Sequence, residues 1–358
     1  MPSSWRPSNA CAFFALPALL LGGGCAPDLP DPDFVGFDCP EPCSHHSTAW
    51  GGDTMLGDSA QPLIDEQGWD APFARLGDLP LGDVFIVNAE APVTADTEPW
   101  HDPPGWHYNT HPEGAAALAR FGVDALGLSN NHVYDRGPDG IEDTFAHAAD
   151  LGLAAFGAGM DEGQAAEPLI VETPYGRMAV LAFSRSFNSV PAAGPNQPGA
   201  IRYTAGNLAA GYDLALERGA DHVVAYVHWG NNYSLVDSNQ REAAERFAAA
   251  GYDLVVGHGA HMQQEIDFLG PMPVLYSIGN FIFGTGGRFT DEFPGYAIVP
   301  RTYLGPDGIE GIGIRCLKTD NGDVRFQPME CPVDEAEEVL GALHHRIEVI
   351  DGEGWIGW

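Results

Sequence analysis

The sequence is poor in cations. Its 358 residues include 16 Lys+Arg against 50 Asp+Glu, and Lys318 is the only lysine. The formal net charge of −34 argues against a nucleic-acid-binding function, because phosphate backbones are held by clustered lysine and arginine side chains. The acidic surface is also what a GC-rich genome or a salt-tolerant host would give. A polyanionic substrate would need metal ions or local arginines to approach such a surface.

The N-terminal apolar stretch is too short to span a membrane. It runs from Ala10 to Leu21, whereas a membrane-spanning helix needs roughly 20 apolar residues. Because Arg6 precedes it and small residues follow it, the stretch is typical of a secretory signal, and we expect residues 1–25 to direct export. The run ending at Cys25 resembles a bacterial lipobox, which predicts a lipid anchor on Cys25. Ordinary secretion with cleavage nearby is the alternative, and either predicts a cell-envelope, periplasmic or secreted protein.

Composition divides the rest of the chain into three segments. Residues 26–46 are rich in Pro and Asp and lack an apolar period, which is typical of a linker. We expect residues 47–300 to form the main domain. Residues 301–358 are predicted to be a short extension that packs on that domain.

Cysteine is scarce, and export changes its interpretation. Once Cys11 and Cys25 are set aside, Cys39, Cys43, Cys316 and Cys331 remain, an even number in an oxidising compartment. Two disulfides are therefore expected, and the sequence leaves their three possible connectivities open. A zinc site formed by these cysteines is the less favoured alternative, because the Cys39–Cys43 spacing is not that of a zinc knuckle.

Short β-branched segments alternate with amphipathic segments along most of the chain. The predicted strands are Val84–Asn88, Val123–Ser129, Met178–Phe183, His222–His228, Asp253–Gly257 and Val274–Ile278. The predicted helices are Pro112–Phe121, Pro138–Leu151, Asn207–Gly219 and Gln240–Ala250. This alternation predicts an α/β fold with parallel βαβ units and a buried sheet. Beyond Ala297 we expect strands at Gly311–Leu317 and Asp323–Gln327 and an acidic helix at Val333–His344.

Polar side chains gather where the apolar strands end. In open α/β sheets, ligands bind outside the carboxyl ends of the strands. Imidazole, carboxylate and amide groups together favour Zn, Mn or Fe, and one or two such ions can assist displacement at phosphorus. His132 follows a candidate ligand directly and is suited to act as a general acid. The residues of this predicted site are Asp53, Glu90, Asn130, Asn131, His132, His228, His258, His261 and Asn280.

Six segments carry a resemblance to a known family. They are Gly52–Leu56 (GDTML), Asn88–Pro92 (NAEAP), Ser129–Gly137 (SNNHVYDRG), His228–Gly230 (HWG), Gly257–His261 (GHGAH) and Tyr276–Phe283 (YSIGNFIF). In this order they resemble the CapA family of bacterial poly-γ-glutamate capsule biosynthesis proteins, within the calcineurin-like metallophosphoesterase superfamily. The resemblance covers about Thr48 to Phe283. It implies a metallophosphoesterase-like four-layer α/β/β/α sandwich with a short C-terminal β-rich extension.

The resemblance also implies roles for particular residues. Asp53, Glu90, Asn131, His228, His258 and His261 would hold the metal, and His132 would be the proton donor. We also predict that Asp135 is catalytic together with His132 and that Asn130 and Asn280 complete the pocket. Metallophosphoesterases usually have a histidine where Met55 stands, and CapA proteins usually have one where Gly259 stands. Whether one or two ions bind is therefore open.

Two functions fit this pattern. The first is a metal-dependent hydrolase of the envelope, acting on a phosphoester or on an intermediate of polymer synthesis. The second is a non-catalytic accessory that binds the polymer or a polyglutamate synthase complex. Fold and ancestry alone do not choose between them.

Overall fold

A computed structural model describes residues 45–77, 79, 81–100, 106–185, 187 and 189–357. The expected signal and lipobox lie outside the described residues, as do Cys25, Cys39, Cys43 and all but the end of the linker, so these remain predictions. The described residues belong to one compact unit. None of the helices among them is long and apolar enough to cross a membrane.

Strands and helices alternate through the described residues. The strands are β1 (His46–Met55), β2 (Val84–Ala89), β3 (Ala125–Gly127), β4 (Ala154–Phe156), β5 (Ala158–Gly159), β6 (Leu169–Thr173), β7 (Gly176–Ser184), β8 (Gly199–Ala200), β9 (His222–His228), β10 (Leu254–His258), β11 (Ile266–Leu269), β12 (Met272–Leu275), β13 (Asn280–Phe283), β14 (Tyr296–Gly305), β15 (Gly308–Lys318), β16 (Met329–Glu330), β17 (Glu348–Ile350) and β18 (Glu353–Gly357). The helices are α1 (Gln61–Gln67), α2 (Pro112–Phe121), α3 (Gly137–Leu151), α4 (Glu162–Ala166), α5 (Ala205–Glu217), α6 (Ser238–Ala250), α7 (Asn321–Val324) and α8 (Val333–Gly341), with short 3-10 helices at Asp58–Ala60 and Ala71–Phe73.

All but two of these strands belong to two large sheets, and β5 and β8 form a small sheet of their own. The first has the order β17-β18-β15-β14-β1-β2-β3-β4, with β13 beside the end of β1 and β16 beside β15. The second has the order β11-β12-β10-β9-β7-β6. Each sheet has a parallel centre, β1 to β4 in the first and β7, β9, β10 and β12 in the second. The predicted parallel βαβ units are therefore present, divided between two sheets.

Three apolar clusters show how the layers pack. One lies between the first sheet and helices α2 and α3, and includes Leu118 and Ile141. A second joins the inner faces of the two sheets, where Trp50 packs near Tyr226. The third lies between the second sheet and helices α5 and α6, and includes Phe247. The layers are therefore helix, sheet, sheet and helix, which is the α/β/β/α sandwich that the resemblance implied.

Local sequence signals set several element ends. Helix α2 begins at Pro112, which suits the first helical position, and ends before Gly122, whose φ of 109° is left-handed. Helix α6 begins with a capping box formed by Asp237 and Gln240. The predicted bounds of α2 and β9 are confirmed.

The predicted strand at Asp323–Gln327 is wrong. The segment begins with the short helix α7, because the side chain of Asp320 accepts a hydrogen bond from the N–H of Gly322 and caps the turn. Arg325 and Phe326 then have positive φ values of 55° and 63°, which a strand does not allow. The predicted helix at Val333–His344 ends earlier, at Gly341.

The C-terminal segment continues the first sheet. Strand β14 crosses the expected boundary between residues 300 and 301 and pairs antiparallel with β1, and β15 and β18 extend the sheet outward. Cys316 on β15 is bonded to Cys331, with their Cα atoms 5.4 Å apart. Of the three connectivities that the sequence left open, this bond belongs to the one that pairs cysteines near each other in the sequence.

Candidate metal centre

Strand register brings the predicted residues together at one edge of the sandwich. In the first sheet, Asp53 on β1 lies opposite Asn88 on β2 and Asn280 on β13. In the second sheet, His228 ends β9 directly opposite His258, which ends β10. These parallel strands end at the same level, so side chains far apart in the sequence share one site.

Two carboxylates and a histidine form the centre of the site. Ligand atoms of Asp53, Glu90 and His261 all lie within 4.8 Å of one another. Nδ1 of His261 is 3.1 Å from Oδ2 of Asp53, and its Nε2 is 3.8 Å from Oε1 of Glu90. Nε2 of His228 is 3.7 Å from that same Glu90 oxygen, and Nδ1 of His258 is 3.9 Å from Oδ1 of Asp53. We name Asp53, Glu90, His228, His258 and His261 the ligand group.

Several atoms of the ligand group are buried without a hydrogen-bond partner. The side chains of Glu90 and His258 are fully buried, yet neither oxygen of Glu90 and neither nitrogen of His258 has a partner among the described residues. A buried polar group without a partner costs free energy, and a buried charge costs more. Carboxylate oxygens and imidazole nitrogens are the donors that a divalent transition ion takes, so these residues fit a metal.

The electrostatics of the group are strongly perturbed. Burial, reinforced by the charge of Asp53, raises the pKa of Glu90 well above 4.5. Burial also raises the pKa of Asp53, but the hydrogen bond from His261 and the neighbouring histidine charges outweigh it and lower that pKa. Burial lowers the pKa of His228 to about 3 and that of His258 to about 4, against the attraction of Asp53. Both histidines are therefore neutral near pH 7, as metal ligands must be.

Asn88 is a site residue that the sequence analysis missed. Its Nδ2 donates to Oδ1 of Asp53 at 2.7 Å and lies 3.2 Å from Nδ1 of His228, so it links the two sheets. Nδ2 of Asn130 in turn donates to Oδ1 of Asn88 and to the carbonyl oxygen of Ala89. The predicted strand ended at Asn88, and its place at that carboxyl end was the signal that could have identified it.

The three predicted asparagines have different contacts. Oδ1 of Asn280 lies 3.0 Å from Nδ1 of His261 and so supports a ligand. Asn130 holds the loop through Asn88 and by accepting from the backbone N–H of His132 at 3.1 Å. Asn131 lines a cavity that His228 also lines, and its buried Oδ1 has no partner among the described residues. Asn131 is thus beside the ligand group, while its role as a ligand stays a prediction.

His132 and Asp135 form a pair next to the ligand group. Nδ1 of His132 is 2.7 Å from Oδ2 of Asp135, and the backbone N–H of Tyr108 donates to the same oxygen at 2.7 Å. The ring of Tyr108 packs on His132 with centroids 4.4 Å apart. The charge of Asp135 also contributes to the raised pKa of Glu90. The predicted catalytic pair is therefore held in one orientation beside the predicted metal ligands.

Met55 has the contacts of an apolar packing residue, not those of a metal ligand. It packs in a small apolar cluster with Ala91, Tyr108 and Phe283 at the edge of the site.

His261 is held in an unusual backbone conformation, with φ of 60°. Non-glycine residues in this region are strained, and such strain concentrates at functional sites.

Fold and site together define the class of this protein. The chain is a four-layer α/β/β/α sandwich with a buried carboxylate–histidine group, a candidate metal centre, at its strand ends. Residues 47–285 match the family described as bacterial capsule synthesis protein PGA_cap, and the chain belongs to that family.

Curated relatives carry related names. The capsule biosynthesis protein CapA of Bacillus anthracis is 29% identical over 249 residues, covering 67% of this chain and 60% of that protein. The PGA biosynthesis protein CapA of Bacillus subtilis is 28% identical, covering 69% of this chain and 65% of that protein. A Mycobacterium tuberculosis protein named "Probable polyglutamine synthesis accessory protein" is 32% identical over 58% of each chain. The chain thus spans about three fifths of the length of these relatives.

Solved structures show only a distant likeness. A phosphatase of Mycoplasma pneumoniae has 13% identity and a TM-score of 0.38, covering 80% of this chain and 91% of that one. A hypothetical protein of Thermus thermophilus has 14% identity and a TM-score of 0.41, covering 80% of this chain and 100% of that one. At these TM-scores the likeness carries no functional argument.

Proposed function

We propose that this chain is a metal-dependent phosphoester hydrolase that acts in poly-γ-glutamate capsule production in the cell envelope. One observation carries the hydrolase proposal: Glu90 and His258, next to Asp53, are fully buried, and none of their carboxylate oxygens or ring nitrogens has a hydrogen-bond partner among the described residues. The capsule context rests on family membership and on the printed names of the relatives. Because the chain spans about three fifths of those relatives, their activity is transferred here only as part of this proposal.

The ligand group would hold one or two divalent ions. Asp53, Glu90 and His261 already lie within mutual reach, and His228 and His258 extend the same donor set. Mixed imidazole and carboxylate donors favour Mn, Zn or Fe. When bound, such an ion polarises a phosphoryl oxygen and favours deprotonation of water.

His132 is the proton donor in this proposal. An ionised carboxylate only accepts hydrogen bonds, so Asp135 fixes the proton of His132 on Nδ1, facing the carboxylate. With Nε2 protonated as well, the imidazolium of His132 gives its Nε2 proton to the leaving oxygen of a substrate, and the neutral ring keeps its other proton on Nδ1. The second hydrogen bond to Asp135, from the N–H of Tyr108, keeps the carboxylate from turning away. Asp135 is therefore a positioning residue.

Envelope placement is part of the proposal. It is supported by the apolar stretch Ala10–Leu21 and the lipobox-like run ending at Cys25. The substrate would be an envelope polymer or a phosphoester made during its synthesis, and a polyglutamate synthase complex is the proposed partner. Globomycin, which blocks lipoprotein signal cleavage, should leave an uncleaved precursor if Cys25 is the lipidated residue.

A non-catalytic accessory is the second candidate. The M. tuberculosis relative is named as an accessory protein, and position 55 is occupied by a packed methionine instead of a further ligand. In this case the pocket would bind polymer or synthase without turnover.

Metal content and turnover of the purified full chain test the proposal. We expect about one or two equivalents of Mn, Zn or Fe and hydrolysis of p-nitrophenyl phosphate or its diester. Asp53→Asn should abolish turnover, and His258→Ala should lose metal. His345→Ala, a histidine outside the ligand group, should retain both.

The outcomes separate the two candidates. Full metal occupancy without turnover on any ester would support the accessory function. A chain that binds no divalent ion at any concentration tried would end the hydrolase proposal.

A further inference from the structure

A cavity of about 280 Å³ lies beside the ligand group. Three of its lining residues tie it to the site: His228 belongs to the ligand group, Asn131 carries an unpartnered buried oxygen, and Gly259 donates its N–H to Asp53. The rest of the lining, among the residues that the structure describes, is Arg185, Phe187, Ser189, Trp229, Gly230 and Asn232. A group held in this cavity would therefore be continuous with a group held at the ligand group.

The cavity has a charge opposite to that of the whole chain. Acidic residues outnumber basic ones 50 to 16 in the sequence, yet Arg185 is the one charged side chain in the described lining, apart from His228. The guanidinium of Arg185 therefore gives the described lining a positive charge, which favours an anion.

Arg185 forms no ion pair with a described residue. Its Nη1 donates to Oδ1 of Asn231 at 3.1 Å, and its guanidinium lies over the ring of Phe187 at 4.9 Å. Some other exposed arginines do pair with carboxylates, as Arg120 does with Asp70 and Arg218 with Glu167. In a chain so rich in acid, an arginine left without one beside a cavity is available for a ligand.

The position of Arg185 is fixed from both sides. Its backbone N–H donates to the carbonyl oxygen of His228 at 3.0 Å, which ties it to the end of β9. Its own carbonyl oxygen accepts from Nη1 of Arg202 at 2.7 Å. Arg202, half-buried, also donates to the carbonyl oxygens of Phe187 and Val190. The guanidinium therefore extends from a backbone that is tied to the ligand group.

We propose that Arg185 and this cavity form an oxyanion subsite that binds a second anionic group of the substrate, while the reacting phosphoryl group lies at the ligand group. The inference rests on the proposed function and narrows its substrate class to molecules with at least two oxyanions, either carboxylates or phosphates. An arginine binds both through paired N–H donors, so the shared chemistry is that of a planar or tetrahedral oxyanion.

Calorimetric titration of the protein as purified tests this without requiring turnover. Inorganic phosphate is the probe with one oxyanion, 3-phosphonopropionate adds a carboxylate, and propane-1,3-diyl bisphosphonate adds a second phosphonate. We expect both longer probes to bind wild type about tenfold more tightly than phosphate, the gain typical of one charge-assisted contact. The longer probe that gains more identifies the preferred oxyanion.

Variants of Arg185 test whether this side chain causes the tighter binding of the longer probes. Arg185→Gln should reduce the affinity for the longer probes to that for phosphate and leave phosphate binding unchanged. Arg185→Lys should retain part of the gain, because it keeps the charge and loses the paired donors. Arg120→Gln, the same change at an arginine on α2 that pairs with Asp70, should bind all probes as wild type does.

Other results would overturn the oxyanion subsite or the hydrolase proposal. Equal weakening of phosphate and of the longer probes by Arg185→Gln would place Arg185 on the reacting group and overturn the second subsite. Unchanged binding of every probe would overturn it as well. A tenfold gain that depends on Arg185 in a protein without turnover would keep the subsite and count against the hydrolase proposal alone.

Discussion

The backbone N–H of Gly259 donates to Oδ2 of Asp53 at 3.2 Å, across 206 positions of the sequence. Gly259 adopts φ of +97°, which is left-handed, and a Cβ there would lie 2.7 Å from Nε2 of His228. The glycine therefore brings the loop after β10 close enough to donate to a buried carboxylate and leaves the His228 ring in place. A side chain at this position is incompatible with the observed arrangement of the ligand group.

Gly259→Ala should disturb the metal centre. The new methyl group would meet His228 and the carbonyl oxygen of Trp229, so we expect weaker metal binding and a free energy of unfolding lower by about 1–3 kcal/mol. Metal titration and thermal unfolding measure the two effects. Gly206→Ala on α5 is the control, because a Cβ there meets nothing within 4 Å and alanine favours helix. Wild-type behaviour of Gly259→Ala in both measurements would show that the loop accommodates a side chain.

Asn88→Ala should weaken metal binding without removing a ligand. Asn88 orients Asp53 and His228 at once, and loss of such a supporting contact typically costs about 10- to 100-fold in metal affinity. Competition with a chelator of known affinity measures the change. Asn239→Ala, at an exposed position on α6, should leave affinity unchanged. A change of less than twofold for Asn88→Ala would mean that Asp53 and His228 hold their positions unaided.

The sequence predicted the fold where one local signal dominated. Helix α2 has proline at its start and glycine after its end, and β9 is a β-branched run, so both elements have the predicted bounds. Asp323–Gln327 failed because its alternation is strand-like, while the Asp320 side chain caps a helical turn just before it. The two-sheet arrangement could not be read from the alternation, since it depends on which strands pair across long connections.

The candidate site was predicted from metal-ligating side chains at strand ends. The prediction was incomplete because residues of other kinds also contribute to the site. Asp53 and His258 were predicted because each carries a metal-ligating side chain at the end of an apolar run. Strand register then brings the two side chains together. Asn88 was missed because an asparagine at a strand end is common, and its hydrogen bond to Asp53 is visible only in the structure. The charge of the cavity at Arg185 depends on which acidic residues are absent around it, and only the folded chain shows that.

Metal binding should release a proton from Glu90. Burial and Asp53 raise the pKa of Glu90, so the metal-free protein keeps that carboxyl protonated above pH 4.5, and a bound ion would displace the proton. Affinity should therefore rise with pH until the raised pKa is passed. His228 and His258, with pKa values lowered to about 3 and about 4, are already neutral and release none. Calorimetry at a series of pH values above 4.5, in buffers of different ionisation enthalpy, should detect proton release that falls as the pH passes the raised pKa of Glu90.

Glu90→Gln provides the control for that proton. The variant should still bind an ion, more weakly, with no buffer-dependent heat. The sign for stability follows as well: the raised pKa of Glu90 contributes stability to the metal-free protein at low pH that is lost as pH rises through the folded-state pKa. Equal proton release by wild type and Glu90→Gln would assign the proton to another group.

The Cys316–Cys331 bond should stabilise the C-terminal part of the first sheet. It closes a separation of 15 residues between β15 and the segment after β16, and a loop of that length is worth about 3 kcal/mol in the chain-entropy account. The double variant Cys316→Ala and Cys331→Ala should lower the free energy of unfolding by about that amount. Dithiothreitol should destabilise wild type more than the double variant. Free thiols at both positions in unreduced, denatured protein would contradict the bond.

The leaving group decides whether His132 donates a proton. His132 is held by Asp135 with one ring nitrogen free, so it should matter most where the departing oxygen needs protonation. Phenyl phosphate has such a leaving group, whereas p-nitrophenolate departs as a stable anion. We expect His132→Ala to reduce kcat on phenyl phosphate by about 10²- to 10⁴-fold and to reduce it much less on p-nitrophenyl phosphate. Metal content should stay at the wild-type value, and Asp135→Asn should act in the same direction. Equal losses on the two esters would instead assign His132 a role in binding the phosphoryl group.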